Sequence, residues 1–496
     1  MTMKMQACLC RLSLITFLAP WCSFGYVAGA LVTFEDGKVP LSELHVSVSG
    51  NDSTGNGTLA SPFRTISRAV NAAEPGTAVV IHAGDYAAGS YWDGISGTEA
   101  NPIWIGGAAG ESKPRILDGS EGIHLSSVRY LVLHDLEITG ADANGVNCDD
   151  GGEVDDPEAT RFVVFRGLHV HGIGTGGNND CLKLSGVRDY YILDSVFENG
   201  SGGGSGIDHV GCHRGLIVGN RFANMGSNAI QSKGGSSDIE IRGNWFEDCR
   251  DRTLNIGGST GFEFFRPPLS TTSVNYEAID IRVLSNVFIG SDAPFAFVGA
   301  VNCLVANNTV IHPHSWFFRI LQETLSSGEY AFGACANNEV VNNIFVYDRS
   351  DLSSTQINVG NNTAPSTFVI RNNLWFNEPN PSQSGITGMP VSEQNGIYGQ
   401  DPMFADPVIR DYRLLNGSPA RSSGLWMSDL STDYGDQPWG NPPNRGAWEG
   451  QYSSNIAPQL NPIGNRTVEA GQPLQIQVDA TDEDGSPLDY SASGGG

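Results

Sequence analysis

Positive charge is scarce in this 496-residue chain. Only 28 Lys and Arg stand against 54 Asp and Glu, a net charge of −26. Such a surface argues against a nucleic-acid partner. It also disfavours an anionic polymer, unless contact is local, through a basic strip or a bridging divalent cation. Long apolar runs are missing too. The one candidate, Leu12 to Phe24, is broken by Pro20 and falls short of the ~20 residues of a bilayer span. No later segment is a span candidate, so stable membrane insertion is not expected once the leader is removed. The nine cysteines show no C-x-x-C zinc spacing. Helical periodicity is rare, which excludes an α-rich fold.

The leader itself is legible. Lys4 and Arg11 precede the apolar run, and Ala28-Gly29-Ala30 offers small residues for cleavage, so residues 1–30 are expected to be a signal peptide. The expected product is a secreted or cell-surface monomer. Cys8, Cys10 and Cys22 leave with the leader. Of the other six, Cys148 with Cys181, and Cys303 with Cys335, lie about one repeat apart. Export permits them to staple neighbouring repeats, and burial as small apolar residues is the alternative.

What is abundant is glycine, 62 residues, with many Asn and Asp, as in an all-β protein rich in tight turns. One phrase returns: Gly219-Asn220-Arg221-Phe222, Gly243-Asn244-Trp245-Phe246, Ser285-Asn286-Val287-Phe288, then variants at Asn307, Asn342 and Asn372. Each copy follows a β-type stretch such as Leu216-Ile217-Val218. The first two copies are 24 residues apart, and a period of ~20–50 residues marks a solenoid. With strands and no helix in the repeat, the expected fold is all-β, a parallel β-helix over residues 31–450.

Coils are expected from about Pro102 to Asp411. Before them, Pro62 to Ala73 has helical spacing, and a cap helix there would cover the open end of the sheet. Residues 451–456 read as a linker. Residues 457–496 resemble a partial Ig-like or cadherin-like module, too short for the ~100 residues of a complete sandwich and so expected to be truncated. Its Asp479, Asp482 and Asp484 suit either calcium or simple solvation.

Aligning the strands before each Gly turn stacks Leu182-Lys183-Leu184-Ser185, Ile207-Asp208-His209-Val210, Ile230-Gln231-Ser232-Lys233 and Leu254-Asn255-Ile256-Gly257. Side chains alternate across a strand. Leu182, Ile207, Ile230 and Leu254 then point inward, and Lys183, Asp208, Gln231 and Asn255 form an outer column. Lys233 stands in a second column beside Asp208. Three chemistries suit this face. One is β-elimination on an acidic polysaccharide, with Lys233 as base, Arg252 or Arg250 as acid or carboxylate-neutraliser, Lys183, His213, Gln231 and Asn255 binding substrate, and Asp180 and Asp208 holding calcium. Another is inverting hydrolysis by carboxyls ~6.5–9.5 Å apart, drawn from Asp149, Asp150, Asp180 and Asp208 with His213 as helper. The third is carbohydrate binding without catalysis.

The phrase His45-Val46-Ser47-Val48-Ser49-Gly50-Asn51-Asp52, with Pro62-Phe63-Arg64-Thr65-Ile66 and Gly84-Asp85-Tyr86, resembles the start of secreted right-handed parallel β-helix proteins of the pectate-lyase-like superfamily. Within it, Ile230-Gln231-Ser232-Lys233-Gly234 followed by Thr253-Leu254-Asn255-Ile256-Gly257 is similar to the active coils of the alginate lyase and chondroitinase B family. That resemblance implies Lys233 as the base. The family's arginine, its proposed acid, falls at Asn255, leaving Arg252, Arg250 or Arg266 to stand in. Asp149-Asp150 and Gly211-Cys212-His213-Arg214-Gly215 echo the polygalacturonase pattern in a different order.

Overall fold

Each repeat folds into three short strands because the alternation of apolar and polar residues changes face at every Gly, Asn or Asp turn. Parallel pairing of successive repeats then builds three long sheets. The computed structural model describes residues 31–450, apart from Thr175 and Asp429, and the backbone of two short strands beyond them. The first sheet has fourteen strands, the second ten and the third twelve. Pairing within all three is parallel and in register, as where Tyr191, Leu216 and Glu240 stand side by side. The core runs inside the coil, with Leu131, Phe165, Ile192, Phe222, Ile241 and Phe288 all buried.

The recurring phrase forms the turn between the first and third sheets. Its first residue takes a left-handed backbone, φ between +53° and +69° at Gly219, Gly243, Ser285, Asn307, Asn342 and Asn372. Gly and Asn tolerate that region best. Its second residue is a buried asparagine. Asn220, Asn244, Asn286, Asn308, Asn343 and Asn373 stack, each oxygen accepting from the main-chain N–H of the coil before it at 2.9 Å. Glu393 ends the column by accepting from Asn373. The fourth residue supplies an aromatic stack, Phe197–Phe222–Phe246–Phe288, with centroids 4.9–5.0 Å apart.

Two expectations need correction. The stack begins before Pro102, since Ser42–Val46 already pairs with Thr77–Ile81 as the first rung. The cap helix is one turn and a half, Ile66–Val70, not a helix from Pro62 to Ala73. Phe63 is held extended by bonds between its backbone and His45 and Ser47, and the cap at Thr65 follows. The open edge of the first sheet is therefore covered by the backbone around Gly57 and Phe63. The helix contributes Ile66, Ala69 and Val70 to the core.

After the last coil, residues 401–450 lie against the outside of the third sheet, where Tyr412, Leu414, Ala420 and Ala447 cover Val287, Ile344, Val346 and Leu374. All six cysteines of residues 31–450 are buried and free. Among the described residues no helix is long and apolar enough to cross a membrane. The expected signal peptide lies outside the described residues, as does nearly all of the expected C-terminal module. There, Gln459–Leu460 pairs antiparallel with Ala480–Thr481.

Candidate active site on the second sheet

Strands Leu182–Ser185, Ser205–Val210, Asn228–Lys233 and Leu254–Gly257 are consecutive in the second sheet. Their register places Lys183 beside Asp208, Asp208 beside Gln231, and Gln231 beside Asn255. Lys233 follows Ser185 and Val210 in the neighbouring column. Leu182, Ile207, Ile230 and Leu254 fill the core below.

Asp208 is the centre of the cluster, 1% exposed. Lys183 Nζ donates to one of its oxygens at 2.6 Å, and Lys233 Nζ lies 3.3 Å from the other. Burial disfavours the Asp208 carboxylate, but the two ammonium groups outweigh it and hold its pKa below the ordinary value. Lys183 also reaches Asp180 at 3.2 Å. Burial opposes its charge, yet Asp208 and Asp180 push its pKa up, so Lys183 stays cationic. Asp180 goes the other way, raised by burial and by the charge of Asp208. Its second oxygen accepts from Ser205 N at 2.7 Å, which locks the turn.

Lys233 ends its strand at Gly234-Gly235, both with positive φ. Glu277 holds that turn. It is fully buried, and its carboxylate accepts from Gly234 N, Thr260 N, Thr260 Oγ1 and Thr324 Oγ1. The loop thus pinned brings Gly258 against the site, where a Cβ would stand 2.8 Å from Gln231 Nε2 and 3.2 Å from Lys233 Cβ. Only glycine leaves these side chains in place.

Arg252 reaches onto the column from the preceding turn. Its Nη1 donates to Asn255 Oδ1 at 3.1 Å and its Nη2 pairs with Glu323 at 2.8 Å. The column continues through Ala296 to Arg319 and Asn358. Arg319 lies over the Trp316 ring at 4.4 Å and donates to Asn358. At the other end the same column runs through Asn147 and His124 to Tyr91, which is 60% exposed.

Other expected groups are placed elsewhere. His213 belongs to the first sheet, in strand His213–Val218, and its ring nitrogens face Ser237 Oγ and Arg266 O. Burial, then Arg188, lowers its pKa to about 4, so it is neutral. Arg250 sits in a turn, its side chain 63% exposed and donating to Gly226 O. Arg266 forms a two-pronged pair with buried Asp150, and Asp149 pairs with His124 at 2.7 Å. These pairs engage Asp149 and Asp150, two of the four acids of the hydrolytic reading.

Calcium fits the pair Asp180 and Asp208 poorly, because ammonium groups already face three of the four oxygens' worth of acceptor space that the cluster presents. Among the described residues, the group that brings three donors together is instead Glu137, His169 and His171 on the third sheet. It can coordinate a metal ion, but its nitrogen donors do not select calcium, which prefers oxygen.

Reading the sequence alone misses Glu277 and Arg319. They lie 44 and 86 residues beyond Lys233, across insertions that hide the repeat. The lead for Arg319 was the outer position of the strand Phe318–Leu321, one step past Ala296.

A family model described as a protein of unknown function (DUF1565) matches residues 48–93. No curated protein matches the sequence. Among solved structures, the pectate lyase Pel9A superposes with a TM-score of 0.55 at 16% identity, over 83% of this chain and 97% of that one. The complex of XylC with xylose gives 0.50 at 10% identity, over 82% and 98%. An alginate lyase from Paenibacillus sp. str. FPU-7 gives 0.41 at 17%, over 64% and 99%. At this identity the likeness to Pel9A is one of fold, and it agrees with the sheets described above: the chain is a right-handed parallel β-helix.

Proposed function

We propose that this chain is a secreted carbohydrate-active enzyme, a polysaccharide lyase that cleaves a uronic-acid-containing polymer by β-elimination. The observation that carries the reading is the outer face around Asp208. In a chain of net charge −26, this face concentrates Lys183, Lys233, Arg252 and Arg319 along one sheet. Four cations stand against the three carboxylates of Asp180, Asp208 and Glu323 paired with them, so the strip keeps a small local excess of positive charge for contact with an anionic polymer. Tyr91 at the far end offers an aromatic surface to a sugar ring.

The roles follow from charge and position. Lys183, held cationic, and the Arg252 guanidinium pair with the uronate carboxylate and so make its C5 proton more acidic. Lys233, the looser partner of Asp208, takes that proton as the neutral amine, after its own extra proton has passed to solvent. The C5 electron pair forms the C4–C5 double bond, the C4–O bond breaks, and the leaving oxygen is protonated, by Arg252 where Lys183 alone neutralises the carboxylate. Gln231 and Asn255 hydrogen-bond the sugar. No step requires a metal ion. The fold likeness to a pectate lyase is consistent with this chemistry.

The test is a screen of alginate, pectate and chondroitin, with and without chelator, for unsaturated uronate ends that absorb in the near ultraviolet. Lys233→Ala is expected to lower kcat by about 10²–10⁴-fold, the usual contribution of a positioned base. Full activity in Lys233→Ala would refute the assignment. New reducing ends without absorbance would replace elimination by hydrolysis.

A further inference from the structure

On the third sheet, away from the candidate active site, strand His169–His171 lies between Glu137–Thr139 and Val196–Glu198. His169 and His171 are two residues apart on a strand, so both project from the same outer face. Their rings stack with centroids 4.3 Å apart. Glu137 stands next to His169 on the coil before, and Glu198 next to His171 on the coil after. The close contacts run diagonally: His171 Nε2 is 3.3 Å from Glu137 Oε1, and His169 Nε2 is 2.9 Å from Glu198 Oε1. Thr139 Oγ1 sits 3.3 Å from His171 Nδ1. Arg115, 3.4 Å from Glu137, and Arg221, 3.7 Å from Glu198, bound the cluster on either side.

We propose that Glu137, His169 and His171 form a binding site for a zinc-class divalent transition metal that bridges two neighbouring coils. One donor atom from each of the three lies within 4.8 Å of the others. An ion with bonds of about 2.0–2.2 Å to nitrogen and oxygen closes that gap with small side-chain rotations. The donor set is two imidazoles and one carboxylate, which suits zinc, copper or nickel and not calcium or magnesium. Each imidazole has one nitrogen already engaged, by Glu198 for His169 and by Thr139 for His171. That leaves the other nitrogen for the metal, with Glu198 fixing the ring of His169 as carboxylates behind metal-bound histidines do. All four side chains are half-buried, with exposures of 25–31%, so an ion can enter from solvent. Because the ligands come from different coils, the ion would act as a clasp between rungs, with an open position left for water.

The test uses the purified, tag-free full chain titrated with Zn²⁺, and with Co²⁺ as a coloured probe. One ion per chain is expected, with visible Co²⁺ bands and a raised Tm. His169→Ala and His171→Ala each abolish the bands, Glu198→Gln weakens binding by about 10–100-fold, and His45→Ala, whose Nδ1 lies 3.1 Å from His82 Nε2 on the first rung, changes nothing. Zinc-edge X-ray absorption of the unmutated protein should show two imidazole nitrogens and light oxygen donors, whether or not the variants fold. Absence of Zn²⁺ and Co²⁺ binding, binding unchanged in both histidine variants, or a zinc shell without imidazole would overturn the proposal.

Discussion

Replacing Asp208 by Asn removes one charge from a nearly inaccessible side chain while keeping its shape, which makes it a sharp probe of the site. In the parent, the carboxylate faces Lys183 at 2.6 Å and Lys233 at 3.3 Å. Removing one partner of a buried ion pair typically costs about 3–5 kcal/mol, because the remaining charge is left uncompensated. Asp180 still reaches Lys183 at 3.2 Å, so the lower end of that range, about 3 kcal/mol, is expected. That is a large part of the ~5–15 kcal/mol of a folded domain. Urea unfolding followed by near- and far-ultraviolet circular dichroism would measure it. A second variant, Asp208→Asn with Lys183→Met, removes both partners and should recover about 1–3 kcal/mol relative to the sum of the single changes. The pH dependence has a definite sign. The Asp208 pKa is lowered on folding, so its stabilisation is complete above the unfolded value of ~3.9 and is lost as pH falls through the lower folded value. Asp180, raised on folding, has the opposite sign and softens the acid limb. Asp208→Asn should therefore flatten the acid limb. A stability within about 0.5 kcal/mol of the parent, or a double variant no better than additive, would refute the reasoning.

Asn286→Ala should cost roughly 1–3 kcal/mol for the buried donor left unpaired, since Asn244 N loses its acceptor while Asn244 Nδ2 keeps Ile217 O and Arg242 O; calorimetric Tm would show it. His209 and His213 are buried with pKa values of about 4. Their depressed values give stability that is complete above ~6.5 and lost as pH falls towards 4, about 3 kcal/mol each at full extent. His209→Gln should remove its share of the acid lability, read as Tm against pH. The six cysteines of residues 31–450 are free and buried, and burial raises the Cys212, Cys249 and Cys335 thiols to about 12. A thiol reagent should therefore label none of these six in the native protein and all six after denaturation, whereas disulfide-linked pairs would leave fewer of the six reactive.

Much of the architecture was legible because its signals are local. The Asn in each phrase must sit where a turn buries a side-chain amide, and Leu182, Ile207, Ile230 and Leu254 declare the inward face by alternation alone. The outer column Lys183, Asp208, Gln231 and Asn255 follows from the same period of two, and the structure pairs these residues in that register. His213 was drawn towards the site by proximity in sequence. It lies across the Gly211 turn, on another sheet, and a turn of two residues suffices to separate the faces. The expected cap helix shortened because the backbone of Phe63 found strand partners in His45 and Ser47, and such distant bonds leave no mark on helical periodicity.

The sequence by itself determined the class of fold, the turns and which side chains face outward, since these depend on spacing along the chain. Only the tertiary structure decided how charges are shared: that Asp208 is held between Lys183 and Lys233, that Arg252 reaches Asn255, that Glu277 pins the turn after Lys233, and that Glu137 meets the histidines of the next coil. Stacking brings residues 25 to 71 positions apart within hydrogen-bonding reach, and insertions of varying length erase that proximity from the linear order. Protonation, pairing and ligand geometry act across space, so the site's chemistry is set by neighbours that the chain reaches only by coiling.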